Sequence, residues 1–161
     1  MGIIINPGDS DFIQEQSDDL YVDKTGLIKL TNEAFASSRK KYICVSRPRR
    51  FGKTTAANML TAYYQVGCKP EDVFGNLEIK KHSSFNTHAG KYNVISMDIA
   101  RIGADYSDIE STIAQIKNLI YSDIVADFNG LLEYNDKIFV AVKSSRHEKK
   151  FFTVSIFSGR H

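Results

Sequence analysis

The sequence predicts an α/β fold, a three-layer sandwich around a mainly parallel sheet. Short apolar, partly β-branched runs at residues 42–45 and 94–97 have the composition of strands that are buried on both faces. Between and after these runs, apolar residues recur at the spacing of amphipathic helices. Strands that alternate with helices in this way are typical of a parallel sheet covered by helices on both sides.

The predicted helices begin and end at recognisable residues. Thr25 is the predicted N-cap of the first helix, because its hydroxyl can accept a hydrogen bond from a backbone N–H of the first turn. A second helix is expected to begin at Lys53 and to end at Gly67 in the left-handed conformation. Ser107 and Glu110 form the pattern of a capping box in front of a long amphipathic helix.

Length and composition indicate one ordinary globular domain over residues 1–161. The 161 residues are enough for a real core, and 42% hydrophobic with 25% charged residues is the usual balance. Further strand candidates lie at residues 138–142 and 151–157, on either side of a basic loop. No internal repeat, low-complexity segment or linker divides the sequence.

Charge and cysteine content exclude little but favour a cytoplasmic protein. The net charge of +2 neither requires nor excludes nucleic acid as a partner. Cys44 and Cys68 lack the spacing of a zinc site or a redox pair, which favours a reducing compartment. Cys44 lies in an apolar run and is expected to be buried. No run approaches the ~18–20 apolar residues of a membrane span.

The loop at residues 46–52 carries the predicted chemistry. Gly52, Lys53 and Thr54 form the second half of the P-loop pattern, and Arg47 stands where the first glycine of that pattern belongs. In such a loop the backbone N–H groups point at a phosphate, the lysine reaches the β- and γ-oxygens, and the threonine hydroxyl binds Mg²⁺. The pattern therefore predicts ATP and Mg²⁺ as ligands, with Lys53 as the catalytic residue and Thr54 on the metal. The alternative is a plain strand-to-helix turn with a solvated lysine.

The predicted nucleotide-binding set extends over the whole turn. Its members are Arg49, Arg50, Phe51, Gly52, Lys53, Thr54 and Thr55. The backbone amides from Arg50 to Thr55 would form the cradle for the phosphates. A guanidinium matches phosphate oxygens bidentately, which is the reason for including both arginines. Arginines that are solvated or paired with surface acids are an equally good interpretation.

Two motifs together resemble the bacterial AAA-ATPase-like family. Residues 21–25 read Tyr-Val-Asp-Lys-Thr, and residues 46–54 read Ser-Arg-Pro-Arg-Arg-Phe-Gly-Lys-Thr. In that family the arginine-bearing loop is the usual form of the P-loop, so Arg47 is no departure from its pattern. The resemblance implies an ATP-binding domain with a P-loop NTPase-like sandwich, often followed in longer relatives by a restriction-nuclease-like domain.

The resemblance also implies a second acidic motif, which the sequence lacks. In the family, an apolar strand ends in Asp-Glu-Tyr/Trp-Asp, whose acids would hold Mg²⁺ and polarise the attacking water. Here Asp98 ends an apolar run but is followed by Ile99, and residues 132–136 lack a preceding apolar strand. Asp98 is a candidate magnesium ligand, and a loop-capping aspartate is the alternative.

After about Leu131 the likeness fades into a divergent tail, residues 132–161. This tail is basic and serine-rich, as expected from a truncated or frame-shifted copy, and the sandwich is expected to be incomplete at its C-terminal side. A sheet without its central strands would expose an edge and favour self-association. A basic cluster in the tail could touch nucleic acid, although a solvated loop explains it more simply. Its members are Lys143, Arg146, His147, Lys149 and Lys150.

The function predicted from these observations is that of an ATP–Mg²⁺-binding P-loop domain, an ATPase if acids are supplied from elsewhere. Without the acidic motif, binding would survive while turnover falls by orders of magnitude. Two alternatives stay open, a non-hydrolysing nucleotide-binding module and a basic nucleic-acid-binding fragment. Asp23 and Lys24 either border the nucleotide and the P-loop or position the start of the first helix.

Overall fold

The computed structural model describes residues 2–35, 42–46, 48, 50–128 and 151–156. The chain forms two compact units, Gly8–Tyr92 and the combination of Met1–Pro7 with Asn93–His161. The helices of the first unit are α1 Ser10–Gln16, α2 Gly26–Phe35, α3 Lys53–Tyr64, α4 Pro70–Phe74, a 3₁₀ helix Glu78–Lys81 and α5 Phe85–His88. The elements of the second unit are β1 Asn93–Asp98, α6 Ile99–Ile102, a 3₁₀ helix Gly103–Asp105, α7 Ile109–Phe128 and β2 Phe151–Ile156.

Aromatic side chains fill the core of the unit Gly8–Tyr92. Tyr63 on α3, Phe12 on α1, Phe74 on α4 and Phe85 on α5 are all fully buried. The Phe12 and Phe74 rings stack with centroids 5.2 Å apart, and Tyr63 meets Phe74 edge-on at 5.7 Å. Such aromatic pairs add to the free energy gained from burial, so the short helices of this unit are held mainly by their packing on α3.

A buried polar network joins α2 to α3. The Tyr64 hydroxyl donates to Asn32 Oδ1 at 2.7 Å and lies 2.6 Å from the Thr31 hydroxyl. Asn32 Nδ2 donates to the Tyr63 hydroxyl at 3.0 Å, and that hydroxyl donates to the Phe85 carbonyl at 2.6 Å. Burial raises the pKa of Tyr63 to about 12 and also raises the pKa of Tyr64, so both phenols stay protonated donors.

Helix α3 begins at Lys53, as predicted, but ends before the predicted cap. Its last residue is Tyr64, and Gln65 follows in an extended conformation that forms a parallel bridge with Tyr92. Gly67 has the predicted left-handed backbone, with φ of 87°, but it lies in the turn after this bridge. The prediction of Gly67 as the cap is therefore wrong, because the extended pairing of Gln65 ends the helix first.

The two strands of the second unit run parallel, in register from Asn93 opposite Phe151 to Asp98 opposite Ile156. Both strand predictions, at residues 94–97 and 151–157, are confirmed. Ile5 adds an isolated antiparallel bridge to Ile95. The candidate strand at residues 138–142 lies outside the described residues.

A buried aspartate on α7 holds the N-terminal segment of this unit. The Asp123 carboxylate accepts hydrogen bonds from the backbone N–H groups of Ile3 at 3.0 Å and Ile5 at 2.8 Å, and from that of Ile4 between them. A carboxylate can be buried at low cost when its oxygens are satisfied in this way. This contact joins residues about 120 positions apart in the chain, and no local sequence pattern predicts it.

The buried strand predicted at residues 42–45 is wrong. These residues have no strand assignment, the Tyr42 side chain is 88% exposed and the Val45 side chain 45% exposed. Cys44 is exposed as well, contrary to its predicted burial. A short apolar run is buried as a strand only where other strands and helices cover it, and in the described part of the chain no strand pairs with these residues.

The long helix predicted after residue 107 is confirmed as α7, but its cap is Asp108. The Asp108 carboxylate accepts hydrogen bonds from the Ser111 N–H at 2.6 Å and the Ser111 hydroxyl at 2.8 Å. The predicted cap is Ser107, but the carboxylate of the neighbouring Asp108 accepts the N–H bond at the helix start instead.

Within the described ranges, no helix combines the length and the apolar character needed to cross a bilayer.

Candidate functional site

The loop in front of α3 turns through two left-handed residues. Arg50 has φ of 67° and Gly52 has φ of 71°, and Gly52 is the N-cap residue of α3. Glycine adopts this conformation without steric cost, whereas for an arginine it costs about 1–2 kcal/mol. The first hydrogen bond of the helix runs from the Ala56 N–H to the Gly52 carbonyl at 3.0 Å. The N–H groups of residues 53–55 therefore precede the helical hydrogen-bond ladder, as the donors of an anion site do.

The Lys53 ammonium lies back over the loop that precedes it. Its Nζ donates to the Pro48 carbonyl oxygen at 3.1 Å, and the side chain is half-buried. This places a positive charge next to the N-terminus of α3, where the helix dipole is also positive. Both features favour an anion at this end of the helix.

The remaining described members of the predicted site differ in exposure. Arg50 and Thr54 are exposed, and the Phe51 side chain is 62% exposed. The exposed Thr54 hydroxyl lies on the first turn of α3 and is an oxygen ligand of the kind that Mg²⁺ prefers. Thr54 thus fits its predicted role chemically. Arg47 and Arg49 lie outside the described residues.

Thr55 lies on the first turn of α3, close to Glu15 of α1. The Glu15 carboxylate accepts a hydrogen bond from Asn58 Nδ2 at 3.1 Å, which ties α3 to α1. Burial raises the pKa of Glu15, and the nearby Asn58 and Thr55 side chains offset only part of the rise. In the predicted cradle, Thr55 would contribute its backbone N–H.

The motif at residues 21–25 leads into α2 and also binds the start of the 3₁₀ helix Glu78–Lys81. Asp23 Oδ1 accepts from the Thr25 N–H and Oδ2 from the Glu78 N–H, each at 2.8 Å. Burial raises the pKa of the Asp23 carboxyl, but its hydrogen bonds outweigh that effect and the pKa is lowered. The Thr25 hydroxyl accepts from the Ile79 N–H at 3.2 Å. The predicted helix-capping bond of Thr25 is therefore wrong, since that hydroxyl is used by the 3₁₀ helix.

Lys24 brings the same motif into contact with the loop in front of α3. Its Nζ donates to the Phe51 carbonyl oxygen at 3.3 Å. The ammonium also occupies the space that a Cβ on Gly52 would take. Of the two roles considered for this pair, Asp23 positions the helix start and Lys24 contacts the loop.

Asp98, the candidate metal ligand from the sequence, caps a helix. It ends β1, and its Oδ1 accepts from the Arg101 N–H at 3.0 Å at the start of α6. The described residues contain no group of three or more acidic, histidine or cysteine side chains arranged to hold a metal ion. The capping alternative is what the geometry shows, and Asp98 stays only a candidate for magnesium. Residues 132–136 and the basic cluster at 143–150 lie outside the described residues.

A scan against models of protein families matches residues 8–154 to one family, AAA-ATPase-like, described as a predicted AAA-ATPase. The chain belongs to this family. The matched range contains both motifs and the whole of α3, and it extends into residues 132–154, where the sequence was expected to diverge. Comparisons with curated proteins and with solved structures found no match. Family membership supports an ATPase-like nucleotide-binding role for this AAA-ATPase-like chain.

The sequence gives Lys24 two possible roles, a contact with the loop or a part in the start of the first helix, and does not choose between them. Lys24 and Phe51 are 27 positions apart, and their contact depends on how α2 and α3 pack. Local patterns cannot supply that information.

Proposed function

We propose that this chain binds ATP with Mg²⁺ at the loop in front of α3, in a P-loop NTPase-like domain. The observation that carries the proposal is the left-handed Gly52 at the N-terminus of α3, followed at once by Lys53 with its ammonium beside the loop. Membership of a predicted AAA-ATPase family supports the choice of ligand. A triphosphate offers the negative charge that this end of the helix favours.

Each member of the site has a role in the proposal. The backbone N–H groups from Arg50 to Thr55 hold phosphate oxygens, and Lys53 exchanges the Pro48 carbonyl for the β- and γ-phosphate oxygens. The Arg50 guanidinium, and that of Arg49, bind outer phosphate oxygens. Thr54 would hold Mg²⁺, which supplies charge neutralisation on the phosphates.

Hydrolysis of the β–γ bond is the proposed reaction, and phosphate release tests it. Because the acidic motif is lacking, phosphate release by the wild type alone is expected to be slow, to require Mg²⁺ and to be abolished by Lys53→Ala. A matched control is Lys29→Ala, which removes an exposed lysine from α2. Release that is unchanged in Lys53→Ala would rule out this loop as the site of hydrolysis.

A non-hydrolysing nucleotide-binding module is the second candidate. It is favoured by the absence of the family's acidic motif from the sequence and by the use of Asp98 as a helix cap. Binding of ATP that depends on Lys53, without phosphate release, would select this candidate. Salt-sensitive binding of nucleic acid that survives Lys53→Ala would instead indicate the third interpretation, a nucleic-acid-binding fragment.

A further inference from the structure

We propose that Lys24 is a second phosphate-binding cation of this loop, which acts together with Lys53 on the bound nucleotide. The proposal rests on the proposed function and adds a residue from outside the P-loop pattern. Its starting point is the contact of the Lys24 ammonium with the Phe51 carbonyl, one residue before the N-cap of α3.

The position of Lys24 is fixed from both sides along the chain. Before it, the Asp23 carboxylate is held by the backbone N–H groups of two segments. After it, the Lys24 carbonyl accepts from the Leu27 N–H at 3.0 Å in the first turn of α2. The fully buried Thr25 anchors the same turn to the 3₁₀ helix. This constrained backbone places the Lys24 side chain within reach of the loop.

The Lys24 charge is available for an anion. Within the ranges that the structure describes, no carboxylate forms an ion pair with Lys24. Both oxygens of its neighbour Asp23 are engaged with backbone N–H groups. The 3.3 Å contact with the Phe51 carbonyl is long for a hydrogen bond from a charged donor. A phosphate oxygen would form the shorter, charge-assisted bond, so the exchange of partners favours phosphate.

The two ammonium groups are held in the same manner. Lys53 donates to the Pro48 carbonyl and Lys24 to the Phe51 carbonyl, so each cation rests on a backbone oxygen of the same short loop. The Lys24 ammonium also occupies the space that a Cβ on Gly52 would take, so any larger residue at this position would displace it. Gly52 therefore has two functions, to turn the chain into α3 and to leave room for the second cation.

The test is the affinity for ATP and for inorganic triphosphate, measured by calorimetry with constant Mg²⁺. Lys24→Gln is expected to weaken both ligands by about ten- to one-hundred-fold, the usual effect of a lost charged hydrogen bond. Lys24→Arg is expected to restore most of the affinity, because it keeps the charge. The dependence of affinity on salt is expected to be shallower in Lys24→Gln than in the wild type.

Controls separate this proposal from the proposed function. Lys29→Gln removes an exposed positive charge from α2 and should bind like the wild type. Wild-type binding that is lost in Lys53→Ala but unchanged in Lys24→Gln would overturn the role of Lys24 alone. Absence of binding in the folded wild type would overturn both. Equal losses in Lys24→Gln and Lys24→Arg, with lowered thermal midpoints, would make Lys24 a structural residue and would also overturn the proposal.

Discussion

At the scale of single residues, Gly52 has the strictest conformational and steric requirement in the loop. Its φ of 71° suits glycine, and the Lys24 ammonium lies where a side chain would begin. Arg50 has a similar φ of 67° with a full side chain, so the loop already contains one strained residue. A second residue with a side chain in this conformation would destabilise the turn further.

Gly52→Ala is therefore expected to lower the free energy of unfolding by about 1–2 kcal/mol, the cost of a left-handed alanine. It should also displace the Lys24 ammonium and weaken ATP binding. Chemical denaturation and calorimetry measure the two effects.

Gly26→Ala is the matched control, because a Cβ at Gly26 meets nothing within 4 Å. Alanine at this first position of α2 should leave stability unchanged or raise it slightly. Equal stability of the Gly52→Ala and wild-type proteins would contradict the conformational argument.

At the scale of elements, Asp23 connects two helices through one carboxylate. It accepts hydrogen bonds at the beginning of α2 and at the beginning of the 3₁₀ helix Glu78–Lys81. The cap of a helix contributes about 0.5–2 kcal/mol, and here two helix starts depend on the same side chain. Lys24 lies between Asp23 and the first turn of α2, and its carbonyl accepts from the Leu27 N–H, so these contacts fix its backbone.

Asp23→Ala is expected to lower the free energy of unfolding by about 1–3 kcal/mol at neutral pH, since both caps are lost. The pKa of Asp23 is lowered in the folded state, so its contribution is present above the unfolded pKa, about 3.9. It is lost as the pH falls from there through the folded pKa. The stability difference between wild type and variant should therefore be constant from pH 7 to pH 5 and shrink at lower pH.

Denaturant titrations across this pH range check the sign. Asp19→Ala serves as the control, because Asp19 is exposed and lies outside the starts of α2 and the 3₁₀ helix. A stability difference that grew as the pH fell would contradict the account of Asp23 as an ionised cap.

At the scale of the whole molecule, long-range contacts complete each unit. In the unit Met1–Pro7 with Asn93–His161, Asp123 ties the segment at residues 3–5 to α7. In the unit Gly8–Tyr92, the buried network of Asn32, Tyr63 and Tyr64 joins α2 to α3. Both arrangements satisfy polar groups that would be costly if buried alone.

Asp123→Asn is expected to destabilise the protein by about 1–3 kcal/mol, because an amide cannot accept three N–H bonds as the carboxylate does. Hydrogen exchange should show faster exchange of the amides at residues 3–5. Asp105→Asn, at an exposed aspartate of the same unit, should change neither measurement. Unaltered protection at residues 3–5 in Asp123→Asn would show that the contact is not stabilising.

The sequence predicts those parts of the fold that depend on neighbouring residues. The start of α3 at Lys53, the long helix α7 and the strands β1 and β2 follow from local patterns of apolar residues. Helices α1 and α5 were missed, because a single buried phenylalanine in each, Phe12 and Phe85, gives no helical periodicity.

The errors of sequence reasoning arise where distant contacts choose between local candidates. Thr25 could cap α2 through its hydroxyl, but that hydroxyl accepts the Ile79 N–H of the 3₁₀ helix, which lies 54 positions further along the chain. The apolar run at residues 42–45 has the composition of a strand, but composition does not say what will cover it. The contact of Lys24 with the Phe51 carbonyl likewise depends on how α2 and α3 pack, so local patterns do not decide it.

The central claim is that a triphosphate binds at the loop in front of α3, and calorimetry with ATP and Mg²⁺ tests it most directly. Folded wild-type protein is expected to give a saturable binding heat that Lys53→Ala loses and Lys29→Ala retains. No binding heat from folded wild-type protein, or equal binding by wild type and Lys53→Ala, would contradict the claim.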